Sequence, residues 1–176
     1  MKEDIKLEIK RIRPEAKLPF YANPGDAGMD ICAAEDVLIK PGQCVAVSTG
    51  LILNIPEGYE VQIRPRSGLS FKTRLRIPNS PGTIDSGYKD ELKILLYNAS
   101  PERTMGEEAY PVFDLSEKDN RAGIYQVRQG DRICQMVLAP VSIARVEDVE
   151  AFSSHDVEDR GGGFGSSGLR AEGDRK

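Results

Sequence analysis

The sequence lacks the features that mark helical bundles, disulfide-rich secreted proteins and membrane proteins. It has no long stretch with a 3.6-residue apolar period, and its 11 prolines and 17 glycines also argue against a bundle of helices. Its three cysteines are widely spaced without a CxxC pair, which argues against a disulfide framework or a zinc site and fits a reducing cytosol. Residues 1–12 carry a charge at every second or third position, so we expect neither a signal peptide nor a membrane span there.

The chain also lacks an excess of basic residues. Lysine and arginine total 24 against 28 acidic residues, which gives a net charge of -4 and a pI near 5.2. A general nucleic-acid-binding protein usually carries a basic excess instead. With 176 residues, the chain has the size of one domain with a full core. We therefore expect a cytoplasmic domain that binds neither nucleic acid nor a membrane stably.

The sequence does contain many short segments in which apolar and polar residues alternate. In the clearest of these segments, residues 59–64, apolar residues alternate with Glu60, Gln62 and Arg64, as in a half-buried strand. Turns rich in proline and glycine separate these segments, and one helical turn is predicted at 68–72. The pattern predicts an all-β fold, namely an antiparallel sandwich, jelly roll or barrel, with strands at 5–9, 37–39, 44–47, 51–55, 59–63, 92–97, 124–127, 133–138 and 141–146.

Two segments depart from this pattern. Residues 101–121 hold six acidic side chains and are interpreted as an exposed insertion, a surface loop between strands. From about residue 153 the apolar alternation stops, and five of the ten residues 159–168 are glycine. We expect a β-sandwich domain over 1–152, interrupted by the insertion at about 101–121, and a flexible C-terminal arm over 153–176.

A basic segment, residues 64–76, is the first candidate for a functional site. It contains five cationic and no acidic side chains in an acidic protein. Ser67 and Gly68 follow a predicted strand, so a helical turn there could present free N–H groups to a phosphate, with Arg66 beside them. The alternative is a solvated basic face that binds nothing.

Asp85 is the second candidate. It follows the apolar Ile84 after a Pro-Gly turn, at the start of a predicted hairpin that leads into 92–97. A carboxylate there could act as the general base for a water molecule. Tyr88 could present its ring to a sugar or a base. The alternative for Asp85 is an aspartate that caps the turn.

Three further segments contain candidate residues. Asp30 lies between apolar residues, where it could hold a water on a divalent cation or make a structural hydrogen bond. Gln135 follows a Gly-Asp turn and could equally be an ordinary polar residue of a strand. In the arm, Phe164 could stack on a flat ligand while Arg160 and glycine N–H groups meet phosphates, unless the arm is simply a disordered tail.

Five segments, taken in order, resemble the motifs of the homotrimeric deoxyuridine triphosphatase (dUTPase) family: AGMDICAA at 27–34, PRSGLSFK at 65–72, NSPGTIDSGY at 79–88, GDRICQMV at 130–137 and RGGGFGSSG at 160–168. The resemblance implies a distorted jelly-roll-type β-sandwich that forms a trimer, with active sites shared between subunits. It also implies Mg²⁺-dependent hydrolysis of dUTP to dUMP and pyrophosphate. That reaction limits uracil incorporation into DNA and supplies dUMP for thymidylate synthesis.

The resemblance further implies a role for each matching residue. Asp85 would activate the water that attacks the α-phosphorus, Tyr88 would lie under the deoxyribose, and Asp30 would hold the magnesium ion through water. The hairpin would bind uracil, largely through main-chain groups, with Asn79, Gly82, Thr83, Ile84 and Lys93. The phosphates would be bound by Arg66, Ser67, Gly68 and Gln135. The arm would close over the nucleotide with Arg160, Phe164, Gly165, Ser166 and Ser167.

The chain departs from the family pattern at three places. Gly87 and Asp90 stand where the family usually has Asp and Gly, the spacing from Arg160 to Phe164 is one residue shorter, and the insertion replaces a short connection. Two alternatives remain. One is a dCTP deaminase or bifunctional deaminase–diphosphatase of the same fold, for which Glu91 is the candidate proton shuttle. The other is a non-catalytic jelly-roll module that binds nucleotides or protein partners.

Overall fold

The computed structural model describes residues 4–102, 109–117 and 120–150. Within these ranges the chain forms twelve strands and one short helix, α1 (Ser67–Lys72), so the all-β expectation is confirmed. The strands are β1 (Glu8–Arg11), β2 (Met29–Cys32), β3 (Val37–Ile39), β4 (Cys44–Ser48), β5 (Leu51–Asn54), β6 (Tyr59–Arg64), β7 (Leu75–Arg76), β8 (Gly82–Ile84), β9 (Lys93–Asn98), β10 (Val112–Asp114), β11 (Ile124–Val127) and β12 (Arg132–Pro140).

The strands pair into small sheets that enclose one core in a jelly-roll-like arrangement. The largest sheet has the order β2-β12-β6-β8, and all its pairs are antiparallel. The others have the orders β4-β9-β7, β10-β11-β3 and β1-β5, and β10 runs parallel to β11. Side chains from all four sheets meet in the core, among them Val61 and Ile63 of β6, which are 0% and 4% exposed. The period-2 pattern of β6 therefore places its apolar residues inside, as predicted.

The predicted strand at 141–146 is wrong. The strand β12 ends at Pro140, which lies opposite Tyr59, the first residue of β6. One further main-chain hydrogen bond joins Val141 N to Gly58 O at 2.8 Å. Since Tyr59 is the first residue of β6, no residue of β6 lies opposite the segment after Pro140, and among the described residues no other strand pairs with that segment.

The interpretation of the insertion as a surface loop is wrong for residues 112–114. Residues 112–114 form β10, an edge strand beside β11. Phe113 is 4% exposed, and its ring centroid lies 6.0 Å from that of the buried Tyr125. The insertion therefore contributes a large apolar side chain to the core, and the burial of this ring and the pairing with β11 hold β10 in place.

The predicted hairpin between Asp85 and the 92–97 segment does not form. Strand β8 pairs with β6, whereas β9 pairs with β4 and β7 in another sheet. Leu92 is 1% exposed and its N–H donates to Leu51 O at 2.8 Å, which leads the chain into the second sheet. Residues 85–92 therefore cross from one sheet to the other.

The chain divides into two compact units, residues 1–142 and 143–176. The predicted arm at 153–176 lies outside the described residues and stays a prediction. No helix in the described ranges is long and apolar enough to cross a membrane.

Candidate functional site

A buried carboxylate on β2 gathers the charged side chains of the candidate site. Asp30 is 1% exposed. Its Oδ1 accepts hydrogen bonds from Arg66 Nε at 2.8 Å and Gln135 Nε2 at 3.3 Å, and its Oδ2 accepts one from Arg132 Nη1 at 2.9 Å. One carboxylate thus fixes two guanidinium groups and an amide. We call these four residues the Asp30 cluster.

The register of the largest sheet explains how the Asp30 cluster forms. Asp30 on β2 lies opposite Gln135 on β12, which in turn lies opposite Arg64 on β6. Arg66 comes two residues after Arg64, in extended backbone just before α1. Residues far apart in the sequence therefore meet because three strands lie side by side. A buried carboxylate is tolerated because it is paired and fully hydrogen-bonded.

A cavity of about 520 Å³ opens beside the Asp30 cluster. Three arginines line it: Arg66, Arg64 of the basic segment 64–76, and Arg132, to which the resemblance assigned no role. Its carboxylates are Asp30, which is already paired, and Asp26. A Cβ atom at Gly28 would lie 3.3 Å from Gln135 Cβ, so glycine leaves the amide its place. Fixed guanidinium and amide donors of this kind suit a phosphate chain.

The sequence held a signal for Arg132, since it lies three residues before Gln135 in the segment GDRICQMV. Its importance becomes visible only in the folded chain, where a β-bulge between Arg132 and Cys134 shifts the register of β12 against β2. Bulges of this kind redirect side chains near functional sites. Sequence alternation alone would place Arg132 on an unremarkable strand end.

Asp85 lies in different surroundings. It follows β8 and is exposed, and in the described part of the chain no hydrogen bond or ion pair engages its carboxylate. Only its main-chain oxygen takes part in the turn, accepting a hydrogen bond from Tyr88 N at 3.1 Å. The alternative that the Asp85 side chain caps this turn therefore finds no contact to support it. Tyr88 is 39% exposed, and its hydroxyl donates to Glu91 O at 2.9 Å.

The segment before Asp85 is closely packed. Gly82 is buried, and a Cβ atom there would lie 3.1 Å from Asn79 Nδ2 and 3.4 Å from Ile63 Cβ. Glycine is therefore needed for the Asn79 amide to approach the strand. Thr83 is exposed, and Ile84 packs partly against the core. Lys93, at the start of β9, is also exposed.

Asp85 and the Asp30 cluster do not meet within one chain. Ile84 lies opposite Val61 on β6, whereas Gln135 lies opposite Arg64 at the other end of the same strand. Asp85 is therefore about four residues along the sheet and three strands across from Asp30, a separation of about 20 Å at ~3.3 Å per residue and ~4.8 Å per strand. A single chain brings together one part of the predicted site but not the whole of it.

Glu91, the candidate proton shuttle of a deaminase, is already engaged. Its Oε1 accepts a hydrogen bond from Gly50 N at 2.9 Å and lies 3.7 Å from Arg13 Nε. Its side chain is 13% exposed. These contacts give Glu91 a structural role in holding the turn before β5. The arm residues Arg160, Phe164, Gly165, Ser166 and Ser167 lie outside the described residues.

Comparison with known proteins places these features in context. The dUTPase family model matches residues 14–105. The deoxyuridine 5'-triphosphate nucleotidohydrolase of Hydrogenobaculum sp. is 41% identical over 94% of this chain and 100% of its own length. The enzyme of the same name from Zymomonas mobilis is 43% identical, over 94% and 99%.

Solved structures show the same likeness. The dUTPase of Staphylococcus bacteriophage 80alpha with dUPNHPP superposes with a TM-score of 0.80 and 33% identity, over 93% of this chain and 99% of that one. A mutant dUTPase from phage phi11 of S. aureus, whose structure reveals the coordination of a structural Mg(II) ion, gives a TM-score of 0.75 and 33% identity. That match covers 85% of this chain and 100% of the phage protein.

Proposed function

This chain belongs to the dUTPase family, and from that premise we propose that it hydrolyses dUTP to dUMP and pyrophosphate. The observation that carries the proposal is the Asp30 cluster, in which one buried carboxylate fixes Arg66 and Arg132 beside a cavity large enough for a phosphate chain. The substrate and both products are small water-soluble anions, which suits an enzyme of the cytoplasm. Its reaction would limit the uracil that enters DNA and supply dUMP for thymidylate synthesis.

The phosphate chain would be bound by residues of β12 and of the start of α1. Arg66 and Gln135 are held by Asp30 before any ligand arrives, so little reorganisation is needed when the triphosphate binds. Ser67 and Gly68 follow Arg66 directly, and a Cβ built at Gly68 would meet no atom within 4 Å beyond its chain neighbours and its own helix backbone, which leaves room for a phosphate group. The charge that develops on the phosphoryl oxygens would meet donors already in place.

Asp85 would act as the general base. Its carboxylate is exposed and unpaired among the described residues, so it is free to accept a proton from the water that attacks the α-phosphorus. The main chain of 82–84 and the Asn79 amide would bind uracil, with Thr83 and Lys93 nearby. Tyr88 would lie against the deoxyribose and exclude a 2′-hydroxyl.

The donors present fit a magnesium ion bound mainly by the substrate. Among the described residues, no group of three His, Cys, Asp or Glu side chains could hold a metal by itself. Both Asp30 oxygens already accept hydrogen bonds from arginine. Mg²⁺ in nucleotide sites takes phosphate oxygens and several waters as ligands, so Asp30 would contact it through water. When bound, the ion offsets the charge of the phosphates.

The separation within one chain supports active sites shared in a homotrimer. Asp85 and Asp30 of one chain are about 20 Å apart. The α-phosphate of one nucleotide therefore cannot lie close to Asp85 and also close to the Asp30 cluster of the same chain. Asp85 of one subunit would therefore face the Asp30 cluster of its neighbour. The arm residues Arg160, Phe164 and Gly165 to Ser167 would close over the bound nucleotide.

A nucleotide panel tests the activity. Pyrophosphate release should be fast with dUTP and slow with dCTP, dTTP and UTP, because a site that hydrogen-bonds uracil leaves buried groups unpaired against cytosine. Comparable kcat/KM for dCTP and dUTP would point to a broader diphosphatase. Ammonia release from dCTP would favour the deaminase, and no turnover of any nucleotide would favour a binding module.

Complementation tests the shared site. Asp85→Asn and Arg66→Gln should each be inactive alone, yet in randomly mixed trimers about a quarter of the sites would combine an intact Asp85 with an intact Arg66 from a neighbour. Activity should then rise well above the sum of the two parents. Mixed trimers verified by mass that show no recovery would mean that each chain completes its own site.

A further inference from the structure

Arg76 is a basic residue whose guanidinium group faces the main chain and not a cavity. It is one of the five cationic residues of the basic segment 64–76. Arg64 and Arg66 line the larger cavity of the candidate site, and Lys72 lines a smaller one beside α1. Arg76 lines neither of these two cavities. A solvated basic face does not describe it either, because its side chain is bonded within the chain.

The guanidinium group of Arg76 joins strand β7 to the C-terminal end of α1. Its Nη1 donates hydrogen bonds to Ser70 O at 3.1 Å, Thr73 O at 2.9 Å and Leu75 O at 2.7 Å. Ser70 lies in α1, and Thr73 directly follows its last residue. Carbonyl groups at the end of a helix have no partner within the helix, and a cation is favourable there. Arg76 therefore supplies both the donor and the charge that this helix end requires.

The short length of α1 makes it dependent on such contacts. None of its six residues is buried, and the side chain of Arg66 at its N-cap makes no capping hydrogen bond. A helix of this length is unstable by itself. At its other end, Thr73 N and Thr73 Oγ1 both donate to Leu69 O, at 3.0 Å and 2.7 Å. Thr73 and Arg76 thus fix the last turn of α1 together.

A continuous route of hydrogen bonds leads from Arg76 to Arg66. Ser70 N donates to Arg66 O at 3.0 Å, while Ser70 O accepts the hydrogen bond from Arg76. Arg76 is itself held in β7, which pairs with β9 and places Arg76 opposite Tyr97. The sheet therefore holds Ser70 through Arg76, and Ser70 holds the main chain of Arg66.

We infer that Arg76 is a positioning residue for nucleotide binding, which contacts no substrate and holds residues 66–68 in their binding conformation by fixing α1. The inference rests on the proposed function, which gives residues 66–68 their ligand. A variant with a looser helix would populate the binding conformation for only part of the time, and its apparent affinity would fall in proportion. Asp85, the proposed base, lies on another segment. The expected signature is therefore weaker binding at nearly unchanged turnover.

Arg76→Gln and Arg76→Lys test this signature. In Arg76→Gln, the KM for dUTP and the Kd of a non-hydrolysable analogue should rise by roughly fivefold to thirtyfold, with kcat within about twofold of the wild type. Arg76→Lys should also bind more weakly than the wild type, because a hydrated ammonium group does not reproduce the donors of a guanidinium group. Amide hydrogen exchange at 67–73 should be faster in both variants. Arg11→Gln, at an exposed arginine of β1 outside both cavities, is the matched control and should change none of these quantities.

Chemical rescue separates the position of the guanidinium group from its charge. In Arg76→Ala, free guanidinium ion at low millimolar concentration should occupy the space beside the three carbonyl oxygens and restore part of the affinity for the analogue. The same concentration of sodium ion should not. Thermal unfolding checks that each variant remains folded.

Three results would overturn the inference. The first is equal affinity for the analogue in the wild type and Arg76→Gln. The second is full recovery in Arg76→Lys, which would reduce the role of Arg76 to its charge. The third is a lower melting temperature with unchanged affinity, which would show a purely structural role.

Failure of the proposed function looks different from failure of this inference. The wild-type protein would then neither turn over dUTP nor bind the analogue. Amide hydrogen exchange at 67–73 would still compare the wild type with Arg76→Gln. Equal exchange rates in the two proteins would show that Arg76 does not hold the helix.

Discussion

Two carboxylates of the proposed site, Asp30 and Asp85, have opposite surroundings. Asp30 is 1% exposed and bonded to three side chains, whereas Asp85 is exposed and its carboxylate meets no partner in the described ranges. Asp30 lies within β2, the strand at one edge of the four-stranded sheet, whereas Asp85 lies just beyond the end of β8, the strand at the other edge. In the sequence, Asp30 lies between apolar residues and Asp85 directly follows one, so apolar neighbours alone do not distinguish the two aspartates.

This difference indicates that Asp30 and Asp85 have different roles. The oxygens of Asp30 are already used in fixing arginines, so this residue prepares the place where phosphate binds. The side chain of Asp85 makes no hydrogen bond or ion pair among the described residues, and its carboxylate oxygens remain free for a proton. Stability and catalysis should therefore separate cleanly between them.

The largest expected effect is that of Asp85→Asn on turnover. Loss of the general base should lower kcat by roughly 10²–10⁴. The melting temperature should stay within experimental error of the wild type, because the side chain is exposed and unpaired. Steady-state hydrolysis of dUTP and calorimetric unfolding measure the two quantities.

Near-normal turnover in Asp85→Asn would remove its assignment as the base. A large fall in melting temperature would instead show that Asp85 is held by contacts in the assembled trimer. Either result would contradict the claim that Asp85 serves catalysis and not stability.

Asp30→Asn should have the reverse profile. The substitution keeps the shape but removes the charge that pairs with Arg66 and Arg132, leaving two guanidinium groups partly buried without a counter-charge. The free energy of unfolding should fall by about 3 kcal/mol. Urea unfolding measures it, with Asp85→Asn as a control that carries the same chemical change at an exposed position.

Binding should change together with stability in Asp30→Asn. Once Arg66 and Gln135 are no longer held, a non-hydrolysable dUTP analogue should bind more weakly. If the variant kept both its stability and its affinity, the Asp30 cluster would not be the prepared phosphate site.

Short-range patterns predict the elements of this fold better than their arrangement. The alternation at 59–63 predicts β6 because burial on one face is a local property of a strand. The segment 141–146 is also rich in apolar residues but forms no strand, because Pro140 before it already lies opposite the first residue of β6. Pairing depends on where the partner strand stops, and that information lies elsewhere in the chain.

The site shows the same division. Motif residues such as Arg66, Gln135 and Asp85 can be named from the sequence, but the order β2-β12-β6-β8 decides which of them meet. Arg132 joins the Asp30 cluster through a bulge, and the insertion joins the core through the buried ring of Phe113. Neither follows from the residues near it in sequence. The separation of about 20 Å between Asp85 and Asp30 likewise depends on the order and register of the strands.

The smallest effect on stability is expected for substitutions of Tyr88. They test how little the stability of the turn at 85–91, which we call the Asp85 segment, depends on its side chains. Tyr88→Phe removes the hydrogen bond from the hydroxyl to Glu91 O, which is 2.9 Å long and exposed, so the free energy of unfolding should fall by about 0.5 kcal/mol. The ring stays, and the preference for dUTP over UTP should stay with it. Tyr88→Ala removes the ring, and relative kcat/KM for the two nucleotides should then move toward UTP while kcat for dUTP changes little, since Asp85 is untouched. If Tyr88→Phe alone relaxed the preference, the hydroxyl and its bond to the 88–91 turn would be what excludes the 2′-hydroxyl. The hydrogen bond from Tyr88 to Glu91 would then hold the Asp85 segment in its functional conformation, just as hydrogen bonds hold the Asp30 cluster.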